Sequence, residues 1–462
     1  MDLQKTRRKT VLVGIQLPRV PESEVQASLQ ELRRLVDTLG HEVIGTLTQK
    51  RSGTSGATVI GEGKLRELAR WTGGPGEVQS SVKAKKSKAA ERFAAAAAEE
   101  EPEEIEEEED PLLPGPPEGV KAELVVFDGE LTPSQMRNLE SATGAEVLDR
   151  TGVIIEIFSR HARTRAARLQ VEIARLNYLA PRLRETGGGG DRQGGGIGGK
   201  GAGETSQELD KRRIRDRIKE LKTEIEAAQT ESIVRRTRRT GENAVALVGY
   251  TNAGKSSLMR AMTGSEILVA DKLFATLDTT VRPLHPPSMP RVLLSDTVGF
   301  IKKLPHDLVA SFRSTLDEAL NADLLLYVVD ASDPTFRSQL EVTRQVLGEI
   351  GAGDAESRLV LNKRDRLSAE EAQALHREFP EAIFLSTRDP QDLARLRELL
   401  LEFFEGDMLE EELHVPYAVP GAVGEIRRHM RVLKESYNES GVTLSVRARA
   451  EDLARFKARF RI

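Results

Sequence analysis

Three observations predict a multidomain α/β chain whose second half carries a parallel-sheet domain. At 462 residues the chain exceeds the ~250–300 at which a single core stops growing, so several domains are expected. Short apolar runs alternate with helical apolar spacing along much of its length, the pattern of strands joined by helices. Third, Gly249-Tyr250-Thr251-Asn252-Ala253-Gly254-Lys255-Ser256-Ser257 lies between the apolar run 244–248 and a helical pattern carrying Leu258, Met259 and Met262. In such a strand, loop and helix, the glycines let successive backbone N–H groups face a polyphosphate, and the helix N-terminus adds partial positive charge. Lys255 would reach the outer phosphates and Ser256 would ligate Mg²⁺.

Composition narrows the class. The formal charge of -5 hides an asymmetry: residues 99–110 hold ten acids and no base, whereas 160–240 carry twenty Lys/Arg against eleven Asp/Glu. The basic segment is the better candidate for touching nucleic acid. Cysteine is absent, which removes disulfides, thiolate metal sites and Cys nucleophiles, and fits a reducing compartment. No apolar run approaches the ~18 residues of a membrane span. The apolar run 10–17 is short, ends at Pro18 and lacks a small-residue cleavage site, so it reads as a first strand in a cytoplasmic protein.

After that strand, Val25, Leu29, Leu32, Leu35 and Val36 keep helical spacing, Gly40 stops the helix, and 42–47 reads as a second strand. Residues 58–64 lead into 65–71, and the pattern then collapses into 73–117, which is rich in Gly, Ala, Lys, Glu and Pro and reads as a disordered insertion. Order returns at the strand 122–127, then a helix 132–141 with Thr132 as N-cap and Pro133 in the first turn. Residues 146–149 and 153–158 fit either strand or buried helix. Leu169, Ile173, Leu176 and Leu183, then Ile214, Ile218, Leu221 and Ile225, mark two helices that predict an antiparallel hairpin. Its charged outer face is either simply solvated or an RNA contact. The joining loop, 187–203, mimics a dinucleotide fingerprint at Gly194, Gly196 and Gly199, but no strand leads into it and Gly201 stands where Ser or Thr should bind metal. Residues 407–462 read as a small α/β domain, with strands at 413–416 and 442–446 around a helix from 423 to 437.

The chemistry-bearing residues follow the phosphate loop in a fixed order. The strand 291–295 ends in Asp296-Thr297-Val298-Gly299, where Asp296 can hold Mg²⁺ through water and the Gly299 N–H can sense a γ-phosphate. Upstream, Leu273-Phe274-Ala275-Thr276-Leu277-Asp278 lies in a polar, irregular stretch in which Thr276 would complete the metal shell, with Thr279 and Thr280 as alternatives. The strand 358–361 leads to Asn362-Lys363-Arg364-Asp365, whose Asp365 can accept from the two donors that guanine offers and adenine does not. Ser386-Thr387-Arg388 would close the base from the other side, although a different triplet is usual there. An Asp-x-x-Gly alone is commonly a turn and an Asn-Lys-x-Asp a solvated loop; their shared position at strand C-termini makes them one GTP site. Lys255, Thr276 and Gly299 are the candidate catalytic residues. Phe300 stands where many small GTPases carry a water-positioning glutamine, so turnover is expected to be slow and raised by a partner. Asn252 either places a K⁺ ion or caps the loop.

These residues resemble the HflX-type GTPases of the Obg-related group. The resemblance rests on the nucleotide motifs, on 131–140 (Leu131-Thr132-Pro133-Ser134-Gln135 onward), on Val147-Leu148-Asp149-Arg150-Thr151, on Leu169-Gln170-Val171-Glu172, and on 192–198 and 296–305. The chain departs from the family pattern at 199–204 and 165–167. The resemblance implies a P-loop GTPase domain at 241–406, an N-terminal α/β domain at 1–160, the hairpin at 161–240 and the C-terminal domain at 407–462. It also implies a monomeric, cytoplasmic Mg²⁺-dependent GTPase, associated with a ribosome or membrane surface, that binds the large ribosomal subunit and its rRNA and dissociates or rescues stalled ribosomes under stress. The competing expectation is a nucleotide-dependent RNA or protein binding module in which hydrolysis only resets affinity. ATP-driven RNA remodelling is disfavoured, because the convincing phosphate loop sits in a guanine-reading domain.

Overall fold

The computed structural model describes residues 7–78, 119–183, 206–237, 243–264, 273–274, 276–277, 279–303, 318–353, 355–406 and 408–460. The chain divides into two compact units, Met1–Arg160 with Val171–Lys222, and His161–Gln170 with Thr223–Ile462.

The first unit begins with β1 (Lys9–Gln16), α1 (Glu22–Thr38), β2 (Glu42–Lys50) and α2 (Glu62–Thr72), and continues with β3 (Leu124–Phe127), α3 (Pro133–Thr143), β4 (Glu146–Asp149) and α4 (Arg150–His161). Its strands form a parallel sheet in the order β2-β1-β3-β4. Central β1 and β3 bury Val11, Leu12, Val13 and 124–127 on both faces, which requires continuous apolar runs rather than alternation. Helix α1 lays Val25, Leu29, Leu32, Leu35 and Val36 against this sheet. Residues 73–78, expected in a disordered insertion, instead pack: Gly76 N donates to Ala142 O at 2.9 Å and Val78 joins the core. The rest of that insertion, 79–117, lies outside the described residues.

Helix α3 opens as a capping box, Thr132 accepting from Gln135 N while the Gln135 side chain accepts from Thr132 N. The Gln135 amide also donates to Thr54 O at 2.7 Å and Gly56 O at 2.9 Å, which ties a loop more than seventy residues upstream to the helix start. Residues 153–158 are helix, because Asp149 caps it by accepting from Gly152 N at 2.8 Å. The same buried carboxylate accepts from Tyr178 Oη at 2.8 Å, Arg182 Nη2 at 2.9 Å and Leu131 N at 3.2 Å. Beside it, Arg150 pairs with Asp128 at 2.7 Å and with Glu31.

Helices α5 (Arg165–Leu183) and α6 (Ser206–Thr237) each contribute residues to both units. Glu172 pairs with Arg217 at 3.0 Å in the first unit and Arg165 with Glu224 at 2.9 Å in the second, the register of antiparallel helices. The loop 187–203 lies outside the described residues.

In the second unit, β5 (Asn243–Val248), α7 (Lys255–Thr263), β6 (Thr280–Pro283), β7 (Val292–Asp296), β8 (Leu324–Asp330), α8 (Phe336–Ile350), β9 (Ser357–Asn362), α9 (Ala369–Glu378), β10 (Ile383–Phe384) and α10 (Pro390–Glu405) build an α/β domain around a six-stranded sheet, as expected for 241–406. The sheet order is β10-β9-β8-β5-β7-β6, parallel except for the edge strand β6. Val245, Leu247, Leu258, Met259, Leu294, Leu326 and Val360 are among its core.

Strands β11 (Leu409–Pro416), β12 (Arg431–Tyr437) and β13 (Gly441–Ala448) form an antiparallel sheet in the order β11-β13-β12, covered by α11 (Ala422–His429) and α12 (Ala450–Phe460). The single helix expected from 423 to 437 is therefore wrong. Val423, Ile426, Met430, Leu433 and Tyr437 do step at helical intervals, but Met430 turns extended (φ -126°, ψ 149°) and the following residues pair with β13. Leu433 and Tyr437 are consequently exposed. This sheet is tied to the GTPase domain at two places: Glu405, at the end of α10, accepts from Arg431 and from Arg447 at 3.0 Å, and Arg449 donates to Asn243 at the start of β5.

Candidate nucleotide site

The phosphate loop needs glycine at two positions. Gly249 has φ +148° and a Cβ there would fall 2.1 Å from Val328 O; Gly254 has φ +97° and its Cβ would fall 2.2 Å from Asn362 Nδ2. The turn directs Lys255, at the start of α7, back over the loop, where Nζ donates to Gly249 O at 2.9 Å and Tyr250 O at 2.7 Å. Burial pulls its pKa down to about 8, with the nearby Asp296 carboxylate acting in the opposite direction.

Ser256 Oγ stands 2.7 Å from Thr276 Oγ1 and donates to Asp296 Oδ2 at 2.6 Å. Asp296 is fully buried, and burial raises its pKa against the opposing influence of Lys255 and of hydrogen bonds from Ser256 and Thr276. Its Oδ1 has no hydrogen-bond partner; neither do Thr251 Oγ1 and Asn362 Oδ1, so three buried, unsatisfied oxygens gather around one cleft. Two hydroxyls and a carboxylate with one unpartnered oxygen form a hard, anionic donor set that fits Mg²⁺. Thr276 is thus the threonine that meets Ser256, whereas Thr280 is taken into β6 opposite Asp296. The stretch around it was expected to be polar, yet Leu273, Phe274 and Leu277 are buried and anchor it.

After β7, Thr297 Oγ1 donates to Leu247 O at 2.7 Å, and Gly299 lies so close to the loop that a Cβ would fall 2.8 Å from Thr251 Cγ2 and 3.1 Å from Lys255 Nζ. Phe300 is 2% exposed, so its ring is part of the core. Its backbone pairs with the phosphate loop: Phe300 N donates to Gly249 O at 3.1 Å and accepts, through its carbonyl, from Thr251 N at 2.8 Å.

At the base end, Asn362 Nδ2 donates to Ala253 O at 2.9 Å, and Lys363 Nζ donates to Asn252 O at 2.9 Å and Asp330 Oδ2 at 2.6 Å. Ser386 Oγ donates to Asp365 Oδ1 at 2.7 Å, the main reason that the Asp365 carboxyl sits below its ordinary range. Asp392, in the first turn of α10, holds this loop by accepting from Ser386 N at 2.7 Å and Arg364 Nε at 2.6 Å.

One cleft of about 270 Å³ joins these parts. Of the residues expected at the site, Thr251, Asn252, Gly254, Lys255, Ser256, Ser257, Phe274, Thr276, Thr297, Gly299, Asn362, Lys363, Asp365, Thr387 and Arg388 line it. Gly249, Tyr250, Ala253, Leu277, Asp296, Val298 and Ser386 stand behind that lining, and Arg364 turns away to Asp389 and Asp392. Ala275 and Asp278 lie outside the described residues. Arg366 lines the cleft and Asp330 holds Lys363, and sequence reasoning missed both. The only available signal was their place beside motif residues at the ends of β8 and β9.

Comparison with known proteins supplies the remaining findings. The family model described as "50S ribosome-binding GTPase" matches residues 244–363, "GTP-binding GTPase Middle Region" matches 161–239, and "GTP-binding GTPase N-terminal" matches 26–80 and 106–159. A protein named GTPase HflX from Gluconacetobacter diazotrophicus is 59% identical over 447 residues, 97% of this chain and 96% of its own. Another of that name, from Caldanaerobacter subterraneus, is 37% identical over 97% of this chain and 93% of its own. The Escherichia coli K12 protein of that name is 34% identical over 96% of this chain and 95% of its own.

Proposed function

The chain belongs to the HflX family of ribosome-binding GTPases, and from that premise we propose that its nucleotide state sets its affinity for the large ribosomal subunit, where it dissociates or rescues stalled ribosomes under stress. As a GTPase it hydrolyses GTP to GDP and phosphate. The observation that carries the switch reading is the meeting of Ser256 Oγ, Thr276 Oγ1 and Asp296 Oδ2 within 2.7 Å beneath the cleft. Ser256 belongs to the phosphate loop, Asp296 to the end of β7, and Thr276 to a stretch without regular structure. A ligand shared by three such segments would hold them together only when the metal and the third phosphate are both present.

In this reading Ser256 and Thr276 would hold Mg²⁺ directly and Asp296 would hold it through water, and the ion would supply neutralisation of phosphate charge. Lys255 moves its donors from the carbonyls of Gly249 and Tyr250 to phosphate oxygens, and Gly299 N–H meets the γ-phosphate. Asp365, oriented by Ser386, reads guanine, and Thr387 and Arg388 close over the base. Asn252, exposed at the rim, is the residue that would place K⁺. Since the Phe300 ring is buried, the group that orients attacking water comes from elsewhere, so basal turnover is slow and ribosomal RNA, held by the basic hairpin, accelerates it. The working location is the cytoplasm; no helix among the described residues is long and apolar enough to cross a membrane.

The test is co-sedimentation with large ribosomal subunits in a non-hydrolysable GTP analogue, in GDP and without nucleotide, paired with GTP turnover with and without subunits. Binding should be strongest with the analogue, and turnover should rise with subunits. Equal binding in all three states removes the switch reading.

A further inference from the structure

The phosphate loop is joined to the segment after Gly299 by more than its backbone. Phe300 and the loop exchange two backbone hydrogen bonds, Phe300 N to Gly249 O at 3.1 Å and Thr251 N to Phe300 O at 2.8 Å. Tyr250, between those two loop residues, adds a third link through its side chain: its phenol oxygen accepts from Lys302 N at 2.6 Å. The ring is 3% exposed, and its own carbonyl accepts from Lys255 Nζ. Buried hydroxyls keep partners because an unsatisfied backbone N–H is costly, so this phenol has a reason to stay where it is.

We propose that Tyr250 is a positioning residue for GTP hydrolysis: by holding Lys302 N, its hydroxyl fixes residues 299–302 against the phosphate loop and so sets where the Gly299 N–H stands relative to the γ-phosphate. Gly299 is clamped between Thr251 and Lys255 on one side and this hydrogen-bonded run on the other. The segment has no long polar side chain at position 300 to correct its own placement, so backbone position is what it has to offer the reacting phosphate. GDP presents no γ-phosphate, and its binding does not draw on this contact. The role therefore separates GTP and its analogues from GDP. The inference rests on the reading that Gly299 senses the γ-phosphate.

The experiment compares Tyr250→Phe, Lys302→Pro and the double variant with the unaltered full-length chain, measuring kcat and KM for GTP and Kd for GDP and for a non-hydrolysable GTP analogue. Tyr250→Phe keeps the buried ring and removes the acceptor; Lys302→Pro removes the donor. Each single change should lower kcat ~3- to 10-fold and weaken the GTP analogue by a similar factor, with GDP affinity within ~2-fold, as expected for one hydrogen bond of ordinary strength. The double variant should be no worse than either single one, since both remove the same bond. Unchanged kcat and analogue affinity in Tyr250→Phe overturns the proposal, as do additive losses in the double variant or an equal loss of GDP affinity. Gly299→Ala is the control for the underlying reading. If it leaves discrimination between the analogue and GDP intact, the γ-phosphate contact itself is misassigned; if it abolishes discrimination while Tyr250→Phe does not reduce it, Tyr250 alone is misassigned.

Discussion

Two aspartates occupy equivalent places in the two parallel sheets and meet opposite fates. Asp149 ends β4 and Asp296 ends β7, and they are 1% and 0% exposed. Asp149 receives four donors, two from backbone, one from Tyr178 and one from Arg182, spread over both oxygens. Asp296 has one oxygen in the Ser256 and Thr276 cluster and the other unsatisfied, and burial raises its pKa. A buried carboxylate with saturated acceptors organises a fold; one left short of partners is a place where the fold has kept capacity for a ligand. The position at a strand C-terminus is shared, so the difference lies in the neighbours.

The comparison can be broken from either side. Asp149→Ala should cost ~3 kcal/mol of stability, because it strands the partly buried Arg182 guanidinium and two buried backbone donors, while GTP affinity of the folded protein stays unchanged. Urea unfolding with the nucleotide Kd measured alongside checks it. Asp296→Asn should do the reverse, lowering Mg²⁺-dependent GTP turnover ~100-fold or more with no fall in melting temperature, since a buried charge whose burial outweighs its compensation disappears. Loss of stability with turnover preserved would erase the distinction between the two residues.

Smaller effects sharpen it. Lys255 has a pKa of about 8 in the free pocket, below the ordinary 10.5, so it is mostly protonated at neutral pH and loses its proton as pH rises through 8. Phosphate prefers the cation, so GTP affinity should weaken ~10-fold between pH 7 and pH 9, while Lys255→Arg should show a flat profile over that range by titration calorimetry. The fold itself responds with the opposite sign: a lowered lysine pKa makes the free protein gain stability as pH climbs from 8 towards 10.5. Ser386→Ala removes the donor to Asp365 and should weaken GTP ~5-fold, seen as a change in Kd with little change in kcat.

What was legible in the sequence follows the same division. The phosphate loop, Asp296 to Gly299 and Asn362 to Asp365 could be read because each is a short run whose residue types match a chemical task at fixed spacing. The sequence favours Thr276 over Thr279 and Thr280, but the meeting of Thr276 with Ser256 depends on the buried Leu273, Phe274 and Leu277, which no local motif reports. The network around Asp149 was equally hidden, since its side-chain partners lie 29 and 33 residues away and no local pattern reports such pairs. In the C-terminal sheet the sequence misled, because apolar steps from Val423 to Tyr437 satisfy a helical period although residues 431–437 pair as an edge strand. Arg364 illustrates a subtler limit. It sits inside a nucleotide motif, yet the acids of the α10 N-terminus claim its guanidinium.

Helix α10 gives the second unit a mechanical element. Its sixteen residues span about 24 Å at 1.5 Å per residue. At one end Asp392 grips Ser386 and Arg364 beside the guanine loop, and at the other Glu405 is held by Arg431 and Arg447 of the C-terminal sheet. One helix therefore carries both anchorages, so the small terminal sheet and the loop beside Asp365 are held by a single element although they lie far apart in sequence.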